Sequence, residues 1–145
     1  MPIPDLSNKP GPCRLGWGPA GSYDFQVEVI GDVIIEAFPN TTGQSFTIKW
    51  QNGSTTQTTG SSTIPSPVGA GAGIISINNE LDNTYADEFK IVSGQNNVTK
   101  VISWGQNPWT TLSSAFLNCT NLTDISTTSL ITGSDCALST AFKSC

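Results

Sequence analysis

Residues 97–125, NVTKVISWGQNPWTTLSSAFLNCTNLTDI, contain the change of pattern that decides the fold. β-branched residues dominate the first seven positions, which is typical of a strand. From Pro108 to Cys119 the apolar residues are spaced by three and four, which predicts a short amphipathic helix with proline in its first turn. Leu122–Ile125 then predicts a brief strand. This stretch therefore joins a β-rich part of the chain to a part with a different period.

An internal repeat begins in the same stretch. Residues 107–119 align with residues 133–145 at an offset of 26. Five pairs are identical: Leu112/Leu138, Ser113/Ser139, Ala115/Ala141, Phe116/Phe142 and Cys119/Cys145. Residues 97–101 also align with residues 121–125 at an offset of 24. Because a fixed period indicates stacked units, we predict that the last strand of the β-rich part is also the first strand of a repeat array. We expect Asp135–Cys145 to repeat the helix.

Upstream, from Tyr23 to about Ile102, short β-branched or aromatic runs alternate with turn residues, which is the pattern of an all-β domain. The runs predict seven strands: Tyr23–Ile30, Asp32–Phe38, Ser45–Trp50, Ser54–Thr58, Gly73–Asn78, Glu88–Ser93 and Val98–Ser103. Gly31-Asp32 and Asn52-Gly53 predict tight hairpin turns. The unequal loop lengths favour a β-sandwich over a barrel.

Residues 1–22 hold five of the nine prolines, which excludes a helix or an interior strand there. Apolar residues in this arm (Ile3, Leu6, Leu15 and Trp17) favour docking on another surface, and a loose tail is the alternative. The first ten residues lack the apolar core of a secretory signal. We therefore expect a protein that stays in the cytoplasm where it is made, or leaves it within a larger particle.

The composition excludes several classes of function. Charged residues are 12% of the chain, histidine is absent, and 52 of the 145 residues are Ser, Thr, Asn or Gln. A net charge of −5 predicts neither a nucleic-acid partner nor an anionic membrane surface, and no window approaches the roughly 18 apolar residues of a membrane span. Without histidine, Ser-His and Cys-His pairs and His-containing metal sites are excluded. We expect no enzyme and no cofactor, and we assign no catalytic, cofactor-binding or metal-binding residue.

The four cysteines (Cys13, Cys119, Cys136 and Cys145) form no CxxC motif, so their spacing predicts neither a metal clamp nor a redox site. Free cysteines are among the most buried residues. We therefore favour four buried thiols, and a disulfide among them is the alternative.

Two segments resemble ligand sites but have simpler interpretations. Gly69–Gly73 looks like a phosphate loop, yet it leads into a predicted strand, whereas a phosphate site needs the start of a helix; a flexible loop is favoured. Asn78–Asn83, followed by Asp87 and Glu88, is the densest group of oxygen ligands. It lacks the spacing of an EF-hand, so an acidic turn is favoured over a calcium site and over a glycosidase pair of carboxylates.

Four tryptophans, Trp17, Trp50, Trp104 and Trp109, are candidates for stacking on sugar rings. Trp50 ends an alternating strand and is predicted to be in the core. Trp104 and Trp109 flank the junction between the β-rich part and the repeats, and we expect them to hold these two parts together. Sugar stacking would require the exposed face of one ring.

The run Ala115-Phe116-x-x-Cys119-x-x-Leu122-x-x-Ile125, partly repeated at Ala141-Phe142-x-x-Cys145, resembles the AFxxCxxLTxI unit of BspA-type leucine-rich repeats. The resemblance implies ladders of Cys, Phe and Leu side chains inside a solenoid, with Cys119 and Cys145 buried. Cys136 aligns with Thr110 and lies outside this ladder pattern.

Residues 46–54 are similar to the strand and turn of PKD-like sandwich modules, with Gln51 and Asn52 in place of the Gly and Asp of the usual W-G-D-G. A PKD-like module followed by Trp104-Gly105, Trp109 and BspA-like repeats resembles surface proteins of bacteria and structural proteins of tailed phages. The Pro/Gly arm is closer to the phage proteins, particularly to cyanophage virion proteins.

Together these features predict a mainly β protein: an extended docking arm at residues 1–22, an Ig/PKD-like β-sandwich at residues 23–103, and an incomplete α/β leucine-rich repeat segment at residues 104–145. The resemblance implies a non-enzymatic virion component, a fibre, appendage or decoration subunit. We expect it to contact other virion proteins and further copies of itself, and to contribute to binding a host-surface glycan or receptor. A bacterial adhesin or carbohydrate-binding module is the alternative. Because the second repeat stops at Cys145, before its strand, we expect that the natural chain continues or that a partner covers this end.

Overall fold

The computed structural model of the chain describes residues 25–39, 41–78, 86–105, 109–125, 132–137 and 140–145. These residues form eleven strands: β1 Phe25–Val29, β2 Ile34–Pro39, β3 Phe46–Lys49, β4 Thr55–Thr58, β5 Ser61–Pro65, β6 Gly73–Asn78, β7 Ala86–Ser93, β8 Val98–Trp104, β9 Trp109–Thr111, β10 Asp124–Ile125 and β11 Thr132–Ala137. A short 3-10 turn, Gln95–Asn97, precedes β8. The predicted arm at residues 1–22 lies outside the described residues.

The strands build two mixed sheets, which confirms the prediction of a mainly β protein. The six-stranded sheet has the order β10-β8-β1-β6-β3-β4, and the five-stranded sheet has the order β11-β9-β7-β2-β5. Buried apolar residues from both sheets form one continuous core. This arrangement is consistent with a β-sandwich.

Alternation of apolar and polar residues explains why these segments become strands. In β1, Phe25, Val27 and Val29 are almost fully buried, whereas the two residues between them are partly exposed. In β2, Ile35 and Ala37 are buried in the same way. Each large apolar side chain contributes about 1.5–3 kcal/mol when it is fully buried. The buried face of each strand therefore determines which way that strand faces in the sandwich.

One of the two predicted hairpin turns is confirmed and the other is wrong. Asn52-Gly53 lies in the turn of the antiparallel β3–β4 hairpin, where the Gly53 N–H donates to the Trp50 carbonyl and Gly53 has φ of 88°. Gly31-Asp32 instead connects β1 to β2, and these strands lie in different sheets. Their buried faces can meet across the core only if the chain crosses between the sheets at this point.

All seven predicted strands are present, with ends shifted by up to two residues. The brief strand predicted at Leu122–Ile125 is present as β10. Three strands were missed: β5, β9 and β11, the last of which overlaps the start of the second predicted helix. β5 and β9 have weak sequence patterns. β5 is rich in Ser and Thr, and Ile64 is its single buried residue. β9 has three residues, at the start of the segment for which a helix was expected.

Parallel strands stack at the end of each sheet. β7, β9 and β11 are successive parallel neighbours in the five-stranded sheet, and β8 and β10 are parallel in the six-stranded sheet. Lys100 lies beside Asp124 and Val101 beside Ile125, which is the sequence offset of 24. We call the stacked segments coil 1 (residues 86–105), coil 2 (residues 109–125) and coil 3 (residues 132–137 and 140–145).

β8 belongs to both parts of the fold. It pairs antiparallel with β1 of the sandwich and parallel with β10 of coil 2. The sandwich and the stacked coils therefore share β8, as expected for the last sandwich strand, although β7 precedes it in coil 1.

The predicted helix from Pro108 to Cys119 is wrong. After β9, backbone N–H groups donate hydrogen bonds to the carbonyl of the residue three positions earlier. These bonds run from Ala115 to Leu112, from Leu117 to Ser114 and from Cys119 to Phe116. Ser114 and Asn118 have positive φ, which an α-helix does not allow. Successive turns space their apolar residues almost as a helix does. The apolar pattern alone therefore did not distinguish these turns from a helix.

The predicted helix at residues 135–145 is wrong for the same reason. Its first residues belong to β11. The turns that follow have the same hydrogen bonds as those of coil 2, because the Lys143 N–H donates to the Thr140 carbonyl and the Cys145 N–H donates to the Phe142 carbonyl. Thr140 and Ser144, which occupy the positions of Ser114 and Asn118, also have positive φ. The repeat at an offset of 26 is thus a repeat of turn conformation.

Gly94 closes the corner of coil 1 between β7 and the 3-10 turn. Its φ is 78°, and a Cβ atom placed on it would collide with the carbonyl oxygen of Asp32 and lie 3.0 Å from the Cα of Val33. Gly53 has a similar φ of 88° but no heavy atom within 4 Å of such a Cβ. Comparing alanine substitutions at Gly94 and Gly53 therefore separates the cost of a positive φ from the cost of a close contact.

We expect Gly94→Ala to lower the free energy of unfolding by about 2–4 kcal/mol, because it adds overpacking to the left-handed strain. Gly53→Ala carries the strain alone and is expected to cost about 1 kcal/mol. Urea denaturation followed by tryptophan fluorescence measures both. Equal losses in the two variants would contradict the role of the Asp32 contact.

Candidate functional site

Six aromatic rings meet where the sandwich joins the coils: Phe25, Phe89, Trp104, Trp109, Phe116 and Phe142. Phe25 of β1 lies at the centre of the sandwich side. Its ring centroid is 4.8 Å from that of Phe89 and 4.9 Å from that of Trp109, both in edge-to-face geometry. Rings of β1 and of the first two coils are therefore in direct contact.

Trp104 links this group to the turns of coils 2 and 3. Its ring centroid lies 6.0 Å from that of Phe25, 6.2 Å from that of Phe116 and 6.3 Å from that of Phe142. Phe116 and Phe142 stack with centroids 5.6 Å apart and planes 3° apart. Each such pair contributes about 0.5–1.5 kcal/mol beyond its buried area. The cluster, which we call the aromatic junction, connects the sandwich to the coils.

The described tryptophans do not meet the requirement for sugar stacking. Trp50, Trp104 and Trp109 are at most 3% exposed. The Trp50 indole N–H donates to the Thr56 hydroxyl at 2.8 Å, and the Trp109 indole N–H donates to the Trp104 carbonyl at 3.3 Å. The predictions that Trp50 is in the core and that Trp104 and Trp109 join the two parts are confirmed. Trp17 lies outside the described residues.

The glycine-rich loop at residues 69–73 leads into β6 and not into a helix, as the sequence predicted. The Gly69 N–H donates to both carboxylate oxygens of Asp32, at 3.2 and 3.1 Å. An acidic side chain thus occupies the donor that a phosphate would need. The interpretation as a connecting loop is supported by this contact.

Most of the predicted acidic turn, residues 79–85, lies outside the described residues. Asp87 and Glu88 lie next to each other in β7. Within the described ranges, no three Cys, Asp or Glu side chains are close enough to hold a metal ion.

The Asp87 carboxyl is affected by its surroundings. The pKa of Asp87 is raised from 3.8 to about 6, first by burial and then by the neighbouring charge of Glu88. A bulge against β2 accompanies this position, since Phe38 lies opposite Glu88 and Pro39 opposite Ala86. Asp87 has no counterpart between them. Burial of the carboxyl removes part of the solvation that its charge requires.

The cysteine prediction holds for Cys119 and fails for Cys145. Cys119 is fully buried, and burial raises the pKa of its thiol to about 12. Cys145 is exposed, although its thiol donates to the Phe116 carbonyl at 2.9 Å. The difference arises because coil 3 covers Cys119, whereas none of the described residues covers coil 3. Both thiols are free; Cys13 and the side chain of Cys136 lie outside the described part.

Amides and hydroxyls connect coils 1 and 2 at the surface. The Thr120 hydroxyl donates to the Asn96 side-chain carbonyl at 2.8 Å, and the Asn121 amide donates to the Asn96 backbone carbonyl at 2.7 Å. Beside them lies a shallow cleft of about 310 Å³ lined by Gly94, Gln95, Asn96 and Asn118. Sequence reasoning did not identify this group, although its members lie close to the residues aligned at the offset of 24.

Coil 3 presents apolar and polar groups outward. Phe142 is 37% exposed, and Ile125 at the neighbouring sheet edge is 38% exposed. This outer surface of coil 3 and β10, which we call the terminal surface, consists of the edge strands β10 and β11 and the turns at residues 140–145. The arrangement is suited to contact with another polypeptide.

Comparisons with protein-family models, with curated proteins and with solved structures give no match to this chain. In the part of the chain that the structure describes, no helix has both the length and the apolar composition needed to cross a membrane.

We expect the contribution of Asp87 to the free energy of unfolding to fall as the pH rises from about 4 to about 6. Folded Asp87 holds its proton up to a higher pH than the unfolded chain does, so ionisation over this interval favours unfolding. Asp87→Asn lacks this carboxyl and does not lose its contribution. The free energy of unfolding of the variant, minus that of the wild type, is therefore expected to increase with pH. Urea titrations at several pH values measure it, with Asp124→Asn on exposed β10 as the matched control. A constant difference between Asp87→Asn and the wild type across this interval would contradict the assignment.

Thiol labelling of the native protein tests the burial of the two cysteines. With iodoacetamide near pH 7.5, Cys145 is expected to react at least about 100-fold faster than Cys119, because the thiolate of Cys119 is both covered and disfavoured. Peptide-resolved mass spectrometry separates the two from Cys13 and Cys136. After denaturation the rates should become similar; similar rates in the native protein would show that coil 3 does not cover Cys119.

Proposed function

We propose that this chain is a non-enzymatic structural subunit of a phage virion, belonging to a fibre, an appendage or a decoration layer. In this proposal the sandwich is an Ig/PKD-like module, the coils are leucine-rich repeats of the BspA type, and residues 1–22 anchor the subunit to the particle. The protein acts by its shape and its surfaces, and it contributes to attachment at a host surface.

The aromatic junction carries the proposal. Trp104 contacts a ring of β1 and rings of coils 2 and 3, so the sandwich and the coils are held as one body without a linker between them. Both sheets continue from the antiparallel sandwich strands into the parallel coils. A rigid connection of this kind suits a subunit that transmits force or position along a particle. A hinged pair of binding modules would need less contact between its parts.

The uncharged surface gives a second line of support. The exposed residues of β4 and β5 are Ser, Thr, Gln and Pro65, and only 12% of the chain is charged. Copies of such a protein can approach closely with little electrostatic repulsion. Hydroxyl and amide groups also bind neutral partners such as glycans without a cost for burying charge.

The alternative function, an adhesin or carbohydrate-binding module, has less support. Its motivation was stacking of sugar on Trp104 and Trp109, and both rings are buried. Sugar binding would have to use other groups, and no described aromatic ring face is as exposed as that of Phe142.

Mass spectrometry and immunogold electron microscopy of phage particles purified from infected cultures test the proposal. The chain is expected to co-purify with particles in a fixed ratio to the major capsid protein and to be labelled at one structural location. A version lacking residues 1–22 is expected to fold, as judged by circular dichroism, but to be at least about 10-fold depleted from particles, since anchoring by the arm is worth at least about 1.4 kcal/mol in that case.

A soluble host protein of similar abundance serves as the control for contamination. The virion proposal is wrong if the chain is abundant in the lysate and no more enriched in the particles than this control. Retention of the version without the arm would contradict the anchoring role of residues 1–22 alone.

A further inference from the structure

The turn of the β3–β4 hairpin, Asn52-Gly53, combines a reactive pair of residues with an open position. Asn52 is the only one of the eleven asparagines in the sequence that is followed by glycine. Both residues are exposed, and no heavy atom lies within 4 Å of a Cβ atom placed on Gly53. Because glycine carries no side chain, little covers the backbone nitrogen of Gly53.

Ser54 holds the side-chain carbonyl of Asn52 in place. The Ser54 N–H donates to Asn52 Oδ1 at 3.0 Å, and the Ser54 hydroxyl donates to the same oxygen at 2.7 Å. The first of these bonds closes a ring that passes through the Gly53 backbone, so it keeps the Asn52 Cγ close to the Gly53 nitrogen. The amide nitrogen of Asn52 has no acceptor among the described residues.

Two other asparagines of the described part lack this combination. The side-chain nitrogens of Asn97 and Asn121 donate to backbone carbonyls, at 2.8 and 2.7 Å. The residues that follow them are Val98 and Leu122, whose side chains restrict access to the backbone nitrogen. In these two asparagines the amide nitrogen is therefore held and the neighbouring backbone nitrogen is shielded.

We propose that Asn52 is a site of spontaneous deamidation, at which the chain forms a cyclic imide that opens to aspartate or isoaspartate. In the first step the Gly53 nitrogen gives its proton to water or hydroxide and forms a bond to the Asn52 Cγ. Negative charge develops on Oδ1, where the two Ser54 donors stabilise it. The bond between Cγ and Nδ2 then breaks, and the nitrogen leaves as ammonia with a proton taken from water.

Water completes the reaction by opening the imide. Addition at Cγ gives aspartate, and addition at the backbone carbonyl of Asn52 gives isoaspartate, in which the main chain passes through the side chain. In total one water is consumed, one ammonia is released and one carboxyl is gained. The reaction therefore requires no oxidant, metal ion or enzyme.

The rest of the hairpin is expected to stay paired. The imide has no N–H at Gly53, so the hydrogen bond from Gly53 to the Trp50 carbonyl is lost. The Trp50 N–H still donates to the Ser54 carbonyl at 2.8 Å, and the Trp50 indole still donates to Thr56. The modified protein is therefore expected to remain folded, with a new negative charge on an uncharged turn. The inference goes beyond the proposed function, because it depends on this hairpin alone.

Incubation of the purified full chain at slightly alkaline pH, where hydroxide promotes loss of the Gly53 proton, tests the proposal. Peptide-resolved mass spectrometry measures the acid formed at each asparagine, and electron-transfer fragmentation separates isoaspartate from aspartate. Asn52 is expected to convert at least about 10-fold faster than Asn97 or Asn121 in the folded protein. Circular dichroism verifies that the protein stays folded.

Substitutions of Ser54 test the role of its donors. Ser54→Ala keeps the backbone donor and removes the hydroxyl, so conversion in the folded protein is expected to slow about 5-fold, the effect of losing one hydrogen bond. Ser54→Thr retains a hydroxyl and is expected to react as the wild type does. Ser62→Ala, at an exposed serine of β5, is the matched control and is expected to leave the rate unchanged. In guanidinium chloride the donors are no longer held in place, so the wild type and Ser54→Ala are expected to react equally fast.

Three results would overturn the proposal: an Asn52 that stays intact in the folded protein, an Asn52 that converts no faster than Asn97 and Asn121, or a Ser54→Ala variant that reacts as fast as the wild type when folded. None of these results affects the test for presence in virions, and absence from virions does not affect the conversion of Asn52. The two proposals can therefore fail separately.

Discussion

The fold depends on the contact between Trp104 and the rings around it. Trp104 is the last residue of β8, the strand that the sandwich and the coils share. On one side it meets Phe25 of the sandwich, and on the other it meets Phe116 and Phe142 of the coils. The turns of coil 2 add further apolar side chains to the core, namely Leu112, Ala115, Cys119 and Leu122. The rings add to this buried surface and connect it directly to Phe25 of the sandwich.

Given this junction, the two parts of the chain share one pair of sheets. Antiparallel strands build the sandwich, and parallel strands extend both layers by one strand per coil. Buried apolar residues and backbone hydrogen bonds supply most of the stabilisation, so the chain does not require charged pairs. The hydroxyl- and amide-rich surface is compatible with close contact between neutral surfaces, which is a second line of support for the proposed function.

Sequence reasoning succeeded where one pattern corresponds to one structure. Alternating apolar residues in β1 led directly to a strand, and the alignment at an offset of 24 matches the register in which β8 and β10 pair. It failed for residues 108–119, because turns linked through three residues space Leu112, Ala115 and Phe116 almost as a helix does. Ser114 and Asn118 have positive φ, which gives a series of turns and not a helix. Neither residue type strongly indicates a positive φ from the sequence. Cys145 was expected to be buried like Cys119, since sequence similarity between repeats does not reveal which coil is covered.

The amino-acid sequence was sufficient to establish a mainly β chain, a repeat of 24 to 26 residues, and a surface poor in charge. These properties follow from composition and local periodicity, which need no knowledge of distant contacts. The tertiary structure alone decided that Gly31-Asp32 crosses between sheets and that Cys119 is buried whereas Cys145 is exposed. Each of these depends on which segments lie side by side, and such long-range contacts arise only when the whole core packs.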